Sequence, residues 1–280
     1  MRTRDVAASA ALVAAASLLL AGCAPVSAPP GPGPSTSPTA ASTTSPPAAA
    51  TTSPGTAPTS TASVAGAPIV VLDPGHNGGN STHLAEINRQ VPDGRGGTKP
   101  CNTTGTETDA GYPEHAFTFD VAQRTERALQ AQGVRVVLTR TDDGGVGPCV
   151  DVRGTAGQRS GAAAVVSIHA DGAASSGSGF HVALSSPPLN PTQAGQAHVL
   201  GSALRDALRT AGFHDSTYIG SQGISLRSDL AGLNLASRPT ALVECANMRN
   251  PAEARVVSSA DGRQRYATAL ASGILAYLRG

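Results

Sequence analysis

Four short apolar runs, at 69–72, 134–138, 164–168 and 241–243, constrain the fold more than any other feature of the chain. In each, the apolar and largely β-branched residues are continuous and do not alternate with polar ones, which is the pattern of strands buried on both faces. Helical stretches separate them. Residues 113–132 open on Pro113 and stop against Gly133, the asymmetry expected of a helix. A second helix is expected over 194–210, with Gly212 beyond it, and a third over 262–278. Strands alternating with helices predict an α/β fold: one domain, a mostly parallel central β-sheet, helices on both faces. Two connections, 79–112 and 172–192, are polar and longer than compact domains normally use. Both adjoin histidines and are expected to wall a cleft; insertions without a role are the other reading.

Everything before residue 67 differs in character. The chain opens with Arg2 and Arg4, runs apolar over 6–20 and then reaches small residues before Cys23. That run is shorter than the about 20 residues of a membrane span and has the layout of a secretory signal peptide, here 1–22. Leu20, Ala21, Gly22 and Cys23 resemble the lipobox of bacterial lipoproteins, which implies acylation of Cys23 and a lipid anchor in a membrane. Residues 23–66 are nearly all Pro, Ser, Thr, Ala and Gly, with no charge and no aromatic ring. Such a segment buries too little apolar surface to offset its ordering entropy and is expected to be a disordered tether. The remaining 67–280, about 210 residues, suits a single core. A formal net charge of +1 and the lack of a basic run argue against nucleic acid as a partner. Without tryptophan and with 3% aromatic residues, a sugar-stacking platform is not expected either. A monomer is expected.

In an open α/β sheet, ligands collect where strands end and loops leave the sheet. The first apolar run leads into Asp73, Pro74, Gly75 and His76; the run at 164–168 leads into His169, Ala170 and Asp171; the run at 241–243 leads into Glu244. Glu114 stands at a helix start, where the dipole favours its charged form. Two histidines and a carboxylate form a ligand set of catalytic zinc sites, which leave the fourth position to water. Zinc lowers the pKa of that water towards about 7 and polarises a carbonyl, and a second carboxylate must then move the proton. Glu244 is the candidate, since a glutamate directly after a buried run is costly unless paired or used. Singly, each signal has a plainer reading: a hydrogen-bonded histidine, a helix-start charge. Their conjunction carries the inference.

Val71, Leu72, Asp73, Pro74, Gly75 and His76, then Ser167, Ile168, His169, Ala170 and Asp171, then Pro239, Thr240, Ala241, Leu242, Val243 and Glu244 resemble the zinc-dependent N-acetylmuramoyl-L-alanine amidases of the amidase-3 type. The resemblance implies that His76, Glu114 and His169 bind one Zn2+ and that Glu244 is the catalytic base. It implies a peptidoglycan substrate, cut between the lactyl group of muramic acid and L-alanine. The enzyme would then be exported to the outer face of the membrane, the periplasm or the wall. Arg227 falls where such enzymes often carry an arginine, which would grip a substrate carboxylate; a surface ion pair is the alternative. Asn77, Gly78, Gly79, Asn80 and Ser81 depart from the family's usual acidic, glycine-rich turn. His115, Glu107 and Asp109 compete with Glu114 as the third ligand. Asp73 and Asp171 stand close enough in sequence to orient the metal histidines, although Asp73 also suits a turn before Pro74. The rival functions are a zinc peptidase acting within stem peptides and a non-catalytic wall-binding lipoprotein. The segment 213–225, short and containing glycine, is not expected to plug the site.

In an oxidising compartment Cys101 and Cys149, both in Gly- and Pro-containing loop sequence, are expected to form a disulfide. Cys245, following a buried run, is expected to remain a packed free thiol.

Overall fold

Successive residues of a strand point to opposite faces of a sheet, so a doubly buried strand has room for an apolar row on one face and chemistry on the other. The computed structural model describes residues 66–280; the expected signal peptide, Cys23 and the tether up to residue 65 lie outside the described residues. In chain order the strands are β1 (Ile69–Pro74), β2 (Gln90–Pro92), β3 (Thr98–Pro100), β4 (Arg135–Leu138), β5 (Ala164–Asp171), β6 (His181–Ser185), β7 (Ile224–Arg227) and β8 (Thr240–Asn247). The helices are α1 (Leu84–Ile87), α2 (Glu114–Gln130), α3 (Val150–Gly154), α4 (Ala156–Ser160), α5 (Pro191–Ala194), α6 (Gln196–Thr210), α7 (Ala231–Asn234), α8 (Pro251–Ser258) and α9 (Ala260–Arg279).

Six strands form the main sheet in the order β4-β1-β5-β8-β6-β7. The first four run parallel, β6 is antiparallel to β8, and β7 is parallel to β6. The expected α/β class and largely parallel sheet are therefore present. β2 and β3 make a separate hairpin inside the long connection 79–112.

Parity divides the two faces. Val70, Leu72, Val166, Ile168, Val182, Leu184 and Val243 enter the main core with Phe117 and Val121 of α2, Leu200 and Leu204 of α6, and Tyr266 and Leu270 of α9. Each such side chain contributes roughly 1.5–3 kcal/mol by burial. On the opposite face Val71 and Val165 meet Ala156 of α4, and Ala183 and Leu242 meet Leu233 of α7. Asp73, Ser167, His169, His181 and Glu244 share the parity of this second face.

Three differences from the expected elements matter. β5 and β8 continue to Asp171 and Asn247, so His169 and Glu244 lie within strands and not just past their ends. The stretch 194–210 begins with the separate turn α5, capped by the Asn190 side chain on the Gln193 amide, before α6 starts beyond Gly195. β6 and β7 occupy sequence that reads as connection, because β6 carries His181 and Ser185 and β7 alternates apolar with polar residues.

Candidate metal centre and active site

From β1 the chain crosses to β4 on one side of it, while β5 lies on the other, so a crevice opens at the carboxyl ends of β1 and β5. His76 follows β1 with φ of 57°, in the left-handed region that a non-glycine residue seldom adopts. Its ring meets that of His169 edge to face, with centroids 4.9 Å apart. Glu114, the first residue of α2, joins the two: Oε2 lies 3.1 Å from His76 Nε2 and Oε1 3.0 Å from His169 Nδ1. One ligand atom from each residue lies within 4.8 Å of the others. Ligands of a tetrahedral zinc, at about 2.0–2.1 Å from the metal, stand about 3.3 Å apart, so the two glutamate–histidine spacings suit that ion, as do the donor types.

The surrounding backbone fixes the three side chains. The Thr106 and Ala170 amides donate to Glu114 Oε2 and Oε1 at 3.0 and 3.1 Å. His76 Nδ1 faces the Thr103 carbonyl at 3.1 Å, which in the neutral ring places the proton on Nδ1 and leaves Nε2 for a metal. Gly75 and Gly105 admit this packing: a Cβ on Gly75 would stand 2.2 Å from the His169 ring, and one on Gly105 2.9 Å from Glu114 Oε2. Burial works against ionisation of Glu114, but the charge of His76 and hydrogen bonds from both histidines prevail and hold its carboxyl far below the usual range.

A cleft of about 470 Å³ opens over this centre. Residues of 99–106 form one wall, Val150 and Arg153 of α3 with 230–233 another, and Glu244 lies in the floor. The connection 79–112 thus walls the cleft as expected, whereas of 172–192 only Gly172 reaches it. Glu244 pairs in register with His169 across β5 and β8. Burial raises the Glu244 carboxyl well above the usual range, the charges of Glu114 and Asp171 add to that, and Arg227 opposes it. Such a group is suited to taking up a proton and passing it on.

Arg227 ends β7 and grips Asp229 through two hydrogen bonds of 2.8 and 2.6 Å. Asp171 lines the cleft and accepts from the Gly172 amide at 2.9 Å. Asp73 accepts from Arg153 at 2.7 Å and from Thr139 and Ser167. Burial alone would raise the Asp73 carboxyl, but the Arg153 charge and these bonds keep it below its ordinary value. Neither aspartate is hydrogen-bonded to a metal histidine; the Thr103 carbonyl serves His76, and Glu114 itself serves His169. Of the competitors for the third ligand, His115 pairs with Asp143 at 2.9 Å, Asp109 pairs with Arg249 at 3.1 Å, and Glu107 bridges Pro113 through its backbone. Cys101 and Cys149 are joined in a disulfide that ties the approach to Thr103 to the start of α3. Cys245 is free and buried.

Fold and ligand set together define a zinc hydrolase on an α/β sheet. Residues 70–276 match the Amidase_3 family, N-acetylmuramoyl-L-alanine amidase, and the chain belongs to that family. It is 50% identical over 217 residues to N-acetylmuramoyl-L-alanine amidase Rv3717 of Mycobacterium tuberculosis, covering 78% of this chain and 88% of that protein. The crystal structure of the N-acetylmuramyl-L-alanine amidase Ami1 from Mycobacterium smegmatis superposes with a TM-score of 0.74 at 51% identity, over 76% of this chain and 97% of Ami1. AmiC2 of Nostoc punctiforme, 23% identical with a TM-score of 0.58 over 76% of this chain and 98% of its own, shares the fold.

Thr103, Gly105, Arg153 and His181 are site residues that the sequence pattern did not single out. A backbone carbonyl such as that of Thr103 has no sequence signature. His181 does have one: a histidine inside the apolar run Phe180, Val182, Ala183, Leu184.

Proposed function

We propose that this chain is a zinc-dependent N-acetylmuramoyl-L-alanine amidase that hydrolyses the amide bond between N-acetylmuramic acid and L-alanine in peptidoglycan. The observation that carries this is the convergence of His76, Glu114 and His169, in a member of this family, on one mouth of a cleft whose floor holds Glu244. Zinc bound by the three residues supplies a Lewis acid for the scissile carbonyl and an activated water. Glu244 takes the proton of the attacking water and delivers it to the departing nitrogen. The carbon–nitrogen bond breaks, leaving a lactyl carboxylate and the free amine of L-alanine. Arg227 exchanges Asp229 for a carboxylate of the stem peptide, a bidentate match to its guanidinium. The polar segment 99–106 contacts the stem.

The rest of the chain supports an exported enzyme. Residues 1–22 act as signal peptide, acylated Cys23 anchors the mature protein, and 23–66 is the tether from which 67–280 works as a monomer on the wall, with no role in binding nucleic acid. Replacing Cys23 with Ala is expected to move the protein from membranes to the soluble fraction; retention on membranes counts against the anchor.

Mass spectrometry of a muramoyl pentapeptide after incubation with the protein, with and without a zinc chelator, tests the activity. Release of an intact stem with a free L-alanine amine, lost on chelation and restored by zinc, is the expected result. Cleavage within the stem makes the protein a peptidase, and no cleavage under any condition removes the enzymatic reading.

A further inference from the structure

Across the sheet from Glu244 stands a residue to which the hydrolysis above gives no task. β6 and β8 are antiparallel, and His181 is directly opposite Glu244. Opposed residues of an antiparallel pair share a face, with Cβ atoms about 4.5–5.5 Å apart. The His181 side chain is fully buried, neither ring nitrogen has a hydrogen-bond partner among the described residues, and Glu244 Oε2 is likewise buried and unpartnered among them. Buried polar groups are nearly always satisfied in folded proteins, so two such groups opposed on one face of the sheet beside the metal centre point to a shared task. The ring is also held in place: Tyr218 stands edge-on to it, with centroids 6.1 Å apart and planes at 86°. Gly177 in turn lets the backbone close on the Tyr218 ring, where a Cβ would come within 2.8 Å.

We propose that His181 is a positioning residue for Glu244: one ring N–H donates to the Glu244 carboxylate and aims it at the reacting water and the departing nitrogen. His181 does not line the cleft, so it acts through Glu244 and not on substrate. Burial lowers the imidazole pKa to about 4, so the ring works neutral, with one nitrogen as donor. Hydrogen bonds of catalytic groups are often open in the unliganded enzyme and tighten in the substrate complex, when the carboxylate form needs its donor. The inference rests on the reading of Glu244 as the base.

Steady-state kinetics of the zinc-loaded full chain on a muramoyl peptide, with zinc content and melting temperature measured alongside, provide the test. His181→Phe is expected to lower kcat about ten- to hundredfold while KM stays within about twofold and zinc content holds. His181→Gln, which returns an N–H donor, is expected to recover most of kcat. In a Glu244→Gln background, His181→Phe is expected to add no further loss. Glu244→Gln alone tests the underlying reading: retained activity removes Glu244 as the base. If Glu244→Gln is inactive but His181→Phe turns over like the wild type, the positioning role alone falls. Equal losses in the Phe and Gln variants, or zinc lost together with kcat, overturn it too. Should His181→Phe fail to fold, His181→Met compared with His181→Gln carries the same contrast.

Discussion

Gly75 is the position at which the metal centre tolerates least change. A methyl group there would meet three atoms of the His169 ring at 2.2, 2.5 and 2.6 Å, and the ring would have to leave its contact with Glu114. Gly75→Ala is therefore expected to lower zinc affinity by about 10–100-fold or more, the scale seen when the support of a ligand is lost. Zinc titration of the purified variant checks this, and wild-type affinity would show that the ring has room to spare. His181 gives a second prediction at this scale. Its folded pKa of about 4 lies below the ordinary 6.5, so between these values the unfolded chain holds a proton that the folded chain refuses. Stability consequently falls as pH drops from about 6.5 towards about 4, by at most about 3 kcal/mol from this residue. Urea melts across that range should show a shallower acid loss for His181→Phe than for the wild type; parallel curves would mean that the ring takes up its proton in the folded state.

Among the elements, the β2–β3 hairpin depends most on others. Two strands alone are marginal in water, and this pair is pinned at its turn by Arg95. That guanidinium donates to Ser185 Oγ at 3.1 Å and to the Pro187 and Ser228 carbonyls at 2.7 and 3.0 Å, and Lys99 Nζ adds a bond of 2.6 Å to the Asp229 carbonyl. Arg95→Ala is expected to weaken docking of the hairpin by about 1–3 kcal/mol and to leave the sheet intact. Hydrogen exchange resolved by segment checks it: faster exchange confined to 90–100 is the expected pattern, and unchanged exchange there would make Arg95 dispensable. The central strands β1, β5 and β8 were legible in the sequence because both of their faces are apolar. β6 and β7 were not, since pairing of β6 with β8 and of β7 with β6 defines them and the local pattern does not. The same contrast holds at the site. His76 follows a strand, Glu114 begins a helix and His169 follows an apolar run, which sequence marks; Arg153 reaches Asp73 across 80 residues, and no local pattern announces such a bond.

For the whole molecule, the metal ligands connect segments that sequence keeps far apart: the turn after β1, the first residue of α2, and the end of β5. In the unfolded chain these three side chains have no common position, so zinc binds the folded state and its binding energy adds to folding stability. At a free zinc concentration about 100 times the dissociation constant the gain is about 2.7 kcal/mol. For a domain of this size each kcal/mol raises the melting temperature by about 2–4 °C, so loading is expected to add roughly 5–10 °C. The sign with pH follows from the ligands. A histidine must be neutral to bind, whereas the charge of Glu114 raises the pKa of His76 despite the opposing effect of burial, so protons compete with metal in acid. The zinc-induced rise should therefore be full at about pH 7.5 and much reduced at about pH 5.5. Thermal melts of chelated and zinc-loaded protein at both values decide the matter: no rise at the higher pH would remove zinc as the resident ion, and an equal rise at both would remove the histidines as its ligands.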